Sequence, residues 1–248
     1  MSSQTIVLIA GANRGLGLET AKNLVLSDKT YHVILSSRNT TKATAAAATL
    51  RAHPSIKGSI STVQLDVTAD SSIAAAKAHI EATFSRLDIL VHNAAIYSLT
   101  PSLDLNTLRA SLETNLLGVG AVTESFLPLL RKSKLASPRL VLVSSSNGSL
   151  AYNSDPESPH GGTYASEYRI AKAALNMLLV QYHASLKDIT VLGVDPGFCA
   201  TEAIGDADAL RRRGAAEPEV GGRVIARVIR GEEGVPGRVV GPPGVLPW

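Results

Sequence analysis

The sequence alternates along its length between short apolar runs rich in β-branched residues and longer stretches of helical composition. The apolar runs predict strands at residues 5–10, 31–36, 61–67, 87–92, 138–143, 189–194 and 237–240. The stretches between them predict helices at residues 18–26, 43–51, 73–84, 103–130, 168–180 and 218–229. Regular alternation of buried strands with helices produces βαβ units with right-handed crossovers. We therefore expect an α/β fold, in which residues 1–248 form a single doubly wound Rossmann-type domain with a parallel sheet of about seven strands and helices on both faces.

Composition agrees with such a sheet and excludes several other classes. Apolar residues make up 45% of the chain but aromatic residues only 4%, so the core must consist mainly of Ala, Val, Leu and Ile. The cluster Arg211-Arg212-Arg213 indicates a solvated loop or helix end rather than a nucleic-acid contact. The first apolar run is too short for a signal peptide, and no run approaches the ~20 apolar residues of a membrane span. We expect a cytoplasmic protein that binds neither nucleic acid nor membrane.

A glycine-rich turn, Gly11-Ala-Asn-Arg-Gly15-Leu-Gly17, separates the first predicted strand from its helix. Glycines at this place let the backbone approach a pyrophosphate, and the helix N-terminus favours its negative charge. The spacing differs from the G-x-G-x-x-G of many dehydrogenases, and a tight turn without a ligand is the alternative. The context favours a dinucleotide site.

The end of the second predicted strand bears on which dinucleotide is bound. An acid that would bind the ribose diol is expected there, but the sequence reads Ser36-Ser37-Arg38. Arg14, inside the glycine turn, provides a second guanidinium group. Two such groups suit a 2′-phosphate, which accepts bidentate hydrogen bonds. The sequence therefore predicts NADP(H) rather than NAD(H).

Tyr168 and Lys172 stand four residues apart in a predicted helix, which places both side chains on one face. An ammonium group held near a phenol favours the phenolate and lowers its pKa from about 10. Lowering it to about 7 requires roughly 4 kcal/mol. Such pairs also occur on solvated helix faces. Tyr164 is an alternative tyrosine, but the residue four positions after it is Tyr168 and not a lysine.

Taken in order, these motifs resemble those of the short-chain dehydrogenase/reductase family over almost the whole chain. The matching positions are Gly11-Ala-Asn-Arg-Gly15-Leu-Gly17, Asp66-Val67, His92-Asn93-Ala94-Ala95, Asn115, Ser145, Tyr168-x-x-x-Lys172 and Pro196-Gly197-x-x-x-Thr201. The Ala-Asn-Arg turn and the C-terminal Leu-Pro-Trp248 resemble the carbonyl-reductase and Sniffer-like branch. The resemblance implies a small-molecule carbonyl substrate and a homodimer or homotetramer, without choosing between the two assemblies.

The resemblance also implies a catalytic set. Tyr168 would donate a proton to the substrate carbonyl, and Lys172 would lower the tyrosine's pKa and hold the nicotinamide ribose. Ser145, with its neighbouring serines on either side as alternatives, would hydrogen-bond the carbonyl oxygen. Asn115 would support a water that leads protons to Lys172. The implied reaction is NADPH-dependent reduction of a ketone or aldehyde; the alternatives are NADP-dependent alcohol oxidation, a cofactor-binding scaffold without turnover, and a non-redox biosynthetic role.

The implied cofactor site draws on several parts of the chain. Asp66 and Val67 would flank the adenine, Asn93 would lie beneath the cofactor, and residues 196–201 would hold the carboxamide. The full set is Gly11, Asn13, Arg14, Gly15, Leu16, Gly17, Arg38, Asp66, Val67, Asn93, Ala94, Tyr168, Lys172, Pro196, Gly197, Cys199 and Thr201. No metal site is expected, because His160 and Cys199 have no partner ligands at metal spacing.

The sequence departs from the family pattern at two places. His92 and Ala95 replace an asparagine and a glycine, and the histidine is expected to be packed rather than catalytic. The interval between Ser145 and Tyr168 is also longer than in the family, and residues 153–162 are predicted to be an inserted loop. Substrate choice is expected to depend on loops 94–104, 147–163 and 198–216, whose composition suggests a moderately apolar molecule.

Overall fold

The computed structural model describes residues 4–100, 102–158, 161 and 164–248. The strands are Thr5–Ala10 (β1), Tyr31–Ser37 (β2), Ser59–Gln64 (β3), Ile89–His92 (β4), Arg139–Val143 (β5), Thr190–Val194 (β6), Val239–Gly241 (β7) and Gly244–Val245 (β8). The α-helices are Gly15–Ser27 (α1), Thr40–Arg51 (α2), Asp70–Phe84 (α3), Leu105–Leu112 (α4), Gly118–Leu130 (α5), Leu150–Ser154 (α6), Ser166–Ser185 (α7), Ala207–Arg212 (α8) and Pro218–Arg230 (α9).

The described strands form one sheet in the order β3-β2-β1-β4-β5-β6-β7-β8, parallel except for the antiparallel β7–β8 pair. Side chains of β1 alternate between its faces: Ile6 and Leu8 belong to one buried cluster, Val7 and Ile9 to another. Both faces are therefore covered, which explains the continuous apolar runs. This confirms the predicted Rossmann-type fold; the two-residue β8 was not predicted.

The strand order reverses at β1, and this reversal sets the location of a ligand crevice. Leu8 pairs with Ile34 of β2 on one side and with Leu90 of β4 on the other. In open parallel sheets, ligands bind outside the carboxyl ends of the strands at such a reversal. The glycine turn follows β1 at this edge. The segments that follow β4, β5 and β6, which carry predicted site residues, begin at the same edge.

The predicted helix 103–130 is interrupted at its centre. Between α4 and α5 lies a π-helical turn, Glu113–Leu117, in which the Gly118 N–H donates to the carbonyl of Glu113. The helix also passes close to the segment after β3, since a Cβ atom at Gly118 would lie 2.7 Å from the carbonyl oxygen of Val67. Single π turns inside α-helices are frequent at functional sites, and this one carries Asn115.

Other element boundaries differ from the prediction for local reasons. β3 ends at Gln64 instead of continuing to Val67, because the Asp66 carboxylate accepts the N–H and hydroxyl of Thr68 and turns the chain. The short helices α6 and α8 were not predicted, although Ser149 and Asp206 accept capping hydrogen bonds at their starts. The predicted loop 153–162 therefore begins within α6, and residues 159, 160 and 162 lie outside the described part.

A buried ion pair lies at the opposite side of the sheet, at the amino ends of the strands. Arg86 Nε lies 3.2 Å from Asp88 Oδ2, and both side chains are buried. Asp88 also accepts the N–H of Ile6 (2.8 Å), the hydroxyl of Ser133 (2.7 Å) and the N–H of Lys134 (2.9 Å). One carboxylate thus joins the start of β1 to the segment that follows α5.

Across the ranges given above, every helix is too short or too polar to traverse a lipid bilayer.

Candidate active site

The glycine turn packs directly against the segment that follows β4. Gly11 has a φ of +71°, and a Cβ atom there would lie 2.8 Å from Ala94 Cα. A Cβ atom at Gly17 would lie 2.5 Å from the carbonyl oxygen of Gly11. Asn93 Nδ2 donates to that same oxygen over 2.8 Å. Positions 11 and 17 therefore have room only for glycine. The hydrogen bond from Asn93 fixes the turn at the crevice.

The start of α1 provides the expected environment for a pyrophosphate. The helix begins at Gly15, and its first turn carries no acidic residue. The N-terminus of a 13-residue helix presents unpaired N–H groups and a partial positive charge. Thr201 lies beside Gly15, with its Cγ2 3.6 Å from the position of a Cβ atom there. These contacts bring the predicted 196–201 segment to the mouth of the crevice, and the arrangement fits a dinucleotide.

The two arginines assigned to a 2′-phosphate have different surroundings. Arg14 Nη1 lies 2.5 Å from Glu202 Oε2, and both side chains are exposed. Arg38 follows β2 and lies near Asp66. Hydrogen bonds from Thr68 hold the pKa of Asp66 below its ordinary value, with a smaller contribution from Arg38. Arg38 is thus placed at the end of β2 as predicted, whereas Arg14 is paired with a carboxylate that the sequence did not suggest.

Leu16 and Cys199 turn toward helix α9. A Cβ atom at Gly221 would lie 2.6 Å from Leu16 Cδ2 and 2.7 Å from Cys199 Sγ. The thiol is buried and lies 3.7 Å from the carbonyl oxygen of Pro196. The side chains of these two predicted cofactor residues therefore pack against α9.

Tyr168 and Ser145 meet at the same edge of the sheet. Tyr168 lies in the first turn of α7, and Ser145 follows β5. The Ser145 hydroxyl lies close to the phenol and acts to lower its pKa. Ser144 instead donates to Asn176 Oδ1 over 2.5 Å and is buried. Of these two serines, Ser145 is therefore the one that the structure brings to the tyrosine.

Lys172 lies one turn after Tyr168 on the same face of α7, as the four-residue spacing predicted. Its Nζ donates to the carbonyl oxygen of Val143 over 2.7 Å and lies 5.5 Å from the centre of the Tyr168 ring. Burial lowers the pKa of Lys172 to about 8, although the nearby Asp195 carboxylate acts in the opposite direction. The ammonium group therefore sits beneath the tyrosine in a desolvated position.

The pKa of Tyr168 does not shift in the expected direction in this arrangement. Burial raises it above its ordinary value, Asp195 and Tyr97 add to the rise, and only the Ser145 hydrogen bond opposes it. From the four-residue spacing we expected Lys172 to lower this pKa. Desolvation of the phenolate is the largest influence on this pKa. The lysine nitrogen is directed at the Val143 carbonyl and lies 5.5 Å from the centre of the phenol ring.

Asn115 binds the chain that follows β4. Its Oδ1 accepts the N–H of Ile96 over 2.9 Å, and its Nδ2 donates to the Ile96 carbonyl over 2.9 Å. Nδ2 also donates to the hydroxyl of Ser111 over 3.2 Å. The side chain therefore anchors a segment at the crevice, while its predicted role in supporting a water stays a prediction.

Sequence reasoning missed Asp195 and Tyr97. The Asp195 carboxylate accepts the N–H groups of Ser146 (2.8 Å) and Gly197 (2.9 Å), which joins the segments after β5 and β6. The ring of Tyr97 makes an edge-on contact with the ring of Tyr168 at 4.8 Å. The position of Asp195 directly after a buried strand was a usable signal; nothing local distinguished Tyr97.

The two departures from the family pattern are accommodated by packing. His92 is buried and shares a 2.8 Å hydrogen bond with the hydroxyl of Thr123. Burial lowers the pKa of His92 to about 3, so the ring is neutral and packed, as expected. The non-glycine residues with positive φ in the described ranges are Ser85 and Ala165. Ala95 is therefore not in a conformation that requires glycine.

Within the described residues, no cluster of His, Cys, Asp and Glu side chains is placed to hold a metal ion. His160 lies outside the described ranges.

The short chain dehydrogenase family profile matches residues 5–210. The chain belongs to the short-chain dehydrogenase/reductase family. It is 36% identical over 245 residues to the short-chain dehydrogenase anuI of Penicillium roqueforti, covering 96% of this chain and 93% of that protein.

Two solved structures of the family share the fold. The carbonyl reductase Sniffer of D. melanogaster is 23% identical and superposes with a TM-score of 0.80, covering 99% of this chain and 100% of that one. The Pseudomonas aeruginosa RhlG/NADP complex is 21% identical with a TM-score of 0.78, covering 96% and 94%. As a member of this family the chain is an NAD(P)(H)-dependent oxidoreductase that acts on a small molecule.

Proposed function

We propose that this dehydrogenase/reductase reduces a ketone or aldehyde to an alcohol with NADPH, using Tyr168 as the proton donor. The observation that carries the proposal is that Tyr168 and Ser145 come together at the carboxyl ends of the strands, with Lys172 Nζ 5.5 Å from the centre of the tyrosine ring. The two hydroxyl groups stand at the crevice that the glycine turn borders, above the buried Lys172. Together they form a two-point site for a carbonyl oxygen.

Each residue of the set has a defined task in this proposal. Ser145 donates a hydrogen bond to the carbonyl oxygen, and Tyr168 transfers its proton to that oxygen as negative charge develops on it. Lys172 places a positive charge close to the phenol and would hold the nicotinamide ribose. NADPH, when bound, supplies the hydride to the carbonyl carbon. The phenol is protonated at neutral pH, which is the state that reduction requires, and burial raises its pKa further.

The preference for NADPH is supported by Arg38 and by the absence of an acid in Ser36-Ser37. The guanidinium group after β2 suits a 2′-phosphate. The RhlG relative was solved with NADP, which agrees with this assignment. Arg14 would have to give up its contact with Glu202 to bind the 2′-phosphate. The proposed preference for NADPH therefore depends mainly on Arg38.

A labelled cofactor tests the reaction directly. The protein is incubated with a panel of ketones and aldehydes and with NADPH carrying deuterium at the transferable position. We expect oxidation of NADPH and deuterium on the carbinol carbon of the product. Alcohol product without cofactor oxidation, or tight NADPH binding without any turnover across the panel, would contradict the proposal.

A variant tests the cofactor choice. Losing a charge-assisted contact to phosphate costs roughly 1.5–3 kcal/mol, so Arg38→Ala should weaken NADPH binding about ten-fold or more. NADH binding should change little. Arg51→Ala, in which an arginine that bonds the Ile60 carbonyl is removed, is the matched control. Equal loss for both cofactors in Arg38→Ala would rule out the phosphate contact.

A further inference from the structure

Glu167 is a fully buried acid that the proposed chemistry does not use. It precedes Tyr168 in the first turn of α7, and its relative exposure is 0%. Its Oε1 accepts the N–H of Asp104 over 2.7 Å, and both carboxylate oxygens lie 2.8 Å from the hydroxyl of Thr100. Its backbone carbonyl accepts the hydroxyl of Ser111 over 3.3 Å. The residue therefore binds the segment that leads from β4 into α4.

The environment of Glu167 keeps its carboxylate charged. The N–H of Asp104 lowers the pKa of Glu167 most, burial acts in the opposite direction, and the Thr100 hydroxyl adds to the lowering; the net pKa is below its ordinary value. The positive end of α7 lies at the same place, because Glu167 stands in the first turn of that helix. Hydrogen bonds to a charged acceptor are stronger than those between neutral groups. The carboxylate thus holds the segment firmly at its far end.

Asn115 holds the near end of the same segment by bonding both backbone groups of Ile96. Tyr97 lies between the two anchors, and its half-buried ring meets the Tyr168 ring at 4.8 Å and an interplanar angle of 63°. Leu99 and Leu103, which flank the far anchor, are 57% and 52% exposed. An apolar surface therefore begins at the catalytic phenol and continues along this segment.

We propose that Glu167 is a positioning residue that holds Tyr97 as the wall of the substrate pocket beside Tyr168. The substrates it favours are carbonyl compounds with an apolar or aromatic group next to the carbonyl, which packs on the Tyr97 ring. This inference rests on the proposed function. It assigns Glu167 no contact with substrate or cofactor; the residue acts through the segment it binds.

A double-mutant cycle tests the inference. Glu167→Ala should raise KM for an aryl ketone about ten-fold, the effect of losing roughly 1.4 kcal/mol of binding, while the Kd for NADPH stays unchanged. Tyr97→Ala should raise KM by a similar factor. The double variant should be no worse than Tyr97→Ala, because the acid acts through the tyrosine. Additive losses, or an unchanged KM in either single variant, would overturn the proposal.

Two milder variants keep the test valid if Glu167→Ala folds poorly. Glu167→Gln retains an oxygen that accepts the Asp104 N–H, so it should recover most of the substrate affinity. Thr100→Val removes the hydroxyl donor and keeps the carboxylate, so KM should rise by a smaller factor than in Glu167→Ala. A Gln variant as impaired as the Ala variant would contradict the hydrogen-bonding role.

Amide hydrogen exchange separates this inference from the proposed reaction. In the Glu167→Ala variant the Asp104 amide should lose protection, while the Ile96 amide, bound by Asn115, should keep most of it. This measurement needs neither cofactor nor substrate. If the Asp104 amide loses protection in Glu167→Ala but the wild type reduces no carbonyl compound, the proposed reaction is refuted and the anchoring role of Glu167 is retained. Unchanged exchange at Asp104 would refute the anchoring role.

Discussion

At the residue scale, the groups around Tyr168 have opposing effects on its pKa. The Ser145 hydroxyl stabilises its phenolate, whereas burial, Asp195 and Tyr97 stabilise the phenol. A phenol held in this way keeps its proton until a substrate oxygen begins to carry negative charge. Its proton is therefore present at neutral pH, as the proposed role of general acid requires.

Replacing Tyr168 by Phe tests this assignment. The ring stays, so packing and NADPH binding should survive, but the proton donor is lost. Because general acid catalysis contributes about 10²–10⁴-fold, kcat should fall by at least that lower factor in steady-state assays. Tyr164→Phe, at an exposed tyrosine whose ring lies 4.0 Å from the Arg169 guanidinium, is the control and should keep near-wild-type turnover. The reverse result would identify Tyr164 as the donor.

Lys172 leads to a prediction about stability and pH. Its pKa in the folded protein is about 8, below the ordinary 10.5. At a pH between these two pKa values, Lys172 is protonated in the unfolded chain but neutral in the folded protein. The contribution of Lys172 to the free energy of unfolding therefore rises with pH. Between pH 8 and 10.5, the free energy of unfolding of the wild type should rise by about 3 kcal/mol relative to that of Lys172→Met.

Urea unfolding of both proteins without cofactor, at several pH values, measures this difference. Subtracting the variant cancels the titrating groups that lie far from Lys172. A difference that stays constant with pH would show that the lysine is not desolvated. The variant should also lose activity and bind NADPH more weakly, because one ammonium group serves both tasks.

At the scale of elements, the π turn and the α6–α7 connection shape the site. The π turn Glu113–Leu117 directs Asn115 toward Ile96, as described above. On the other side, Arg169 of α7 donates to Asn153 Oδ1, and Asn153 Nδ2 donates to the carbonyl oxygens of Asn147 and Ser149. Asn153 is therefore a structural part of α6 rather than of a free loop.

Shortening the connection after α6 should affect substrate choice more than stability. Replacing residues 155–162 by a Gly-Ser linker keeps Asn153 and its bonds to Arg169. The removed piece contains Pro and Gly and lies between Ser145 and Tyr168 in the chain, so it should border the substrate pocket. We expect changed kcat/KM ratios across a carbonyl panel with little change in Tm. A large fall in Tm with unchanged kinetics would show a structural role instead.

At the scale of the whole molecule, the two edges of the sheet have separate tasks. The carboxyl edge gathers the glycine turn, the serine, the tyrosine and Asp195. At the amino ends of the strands lies the buried Arg86–Asp88 pair, whose carboxylate also binds the start of β1 and the segment after α5. Changes at the amino edge should therefore alter stability without altering the chemistry.

Asp88→Ala tests this separation. Removing one partner of a buried pair leaves an uncompensated charge and costs about 3–5 kcal/mol, so the free energy of unfolding should fall by that amount. Asp188→Ala breaks the exposed pair with Arg131 and should cost at most about 1 kcal/mol. Chemical denaturation compares the two. Similar small losses in both variants would show that Asp88 does not hold the sheet together.

Much of the fold followed from local pattern. A buried parallel strand requires an apolar run, and the 2.5 Å contact that a Cβ atom at Gly17 would make leaves no room for a side chain. The strand β1, the glycine turn and α1 were therefore predictable. The four-residue spacing of Tyr168 and Lys172 likewise set their common face. These features depend on neighbours in sequence, which periodicity and composition report directly.

Tertiary structure alone decided the rest. The choice of Ser145 over Ser144, the pairing of Arg14 with Glu202 and the anchoring role of Glu167 all depend on residues distant in sequence. The direction of the Tyr168 pKa shift depends on how much water the surrounding segments exclude. An acid in a first helical turn has the same local pattern whether it is solvated or buried; only the packing of the segment before α4 onto α7 removes Glu167 from water and gives it partners.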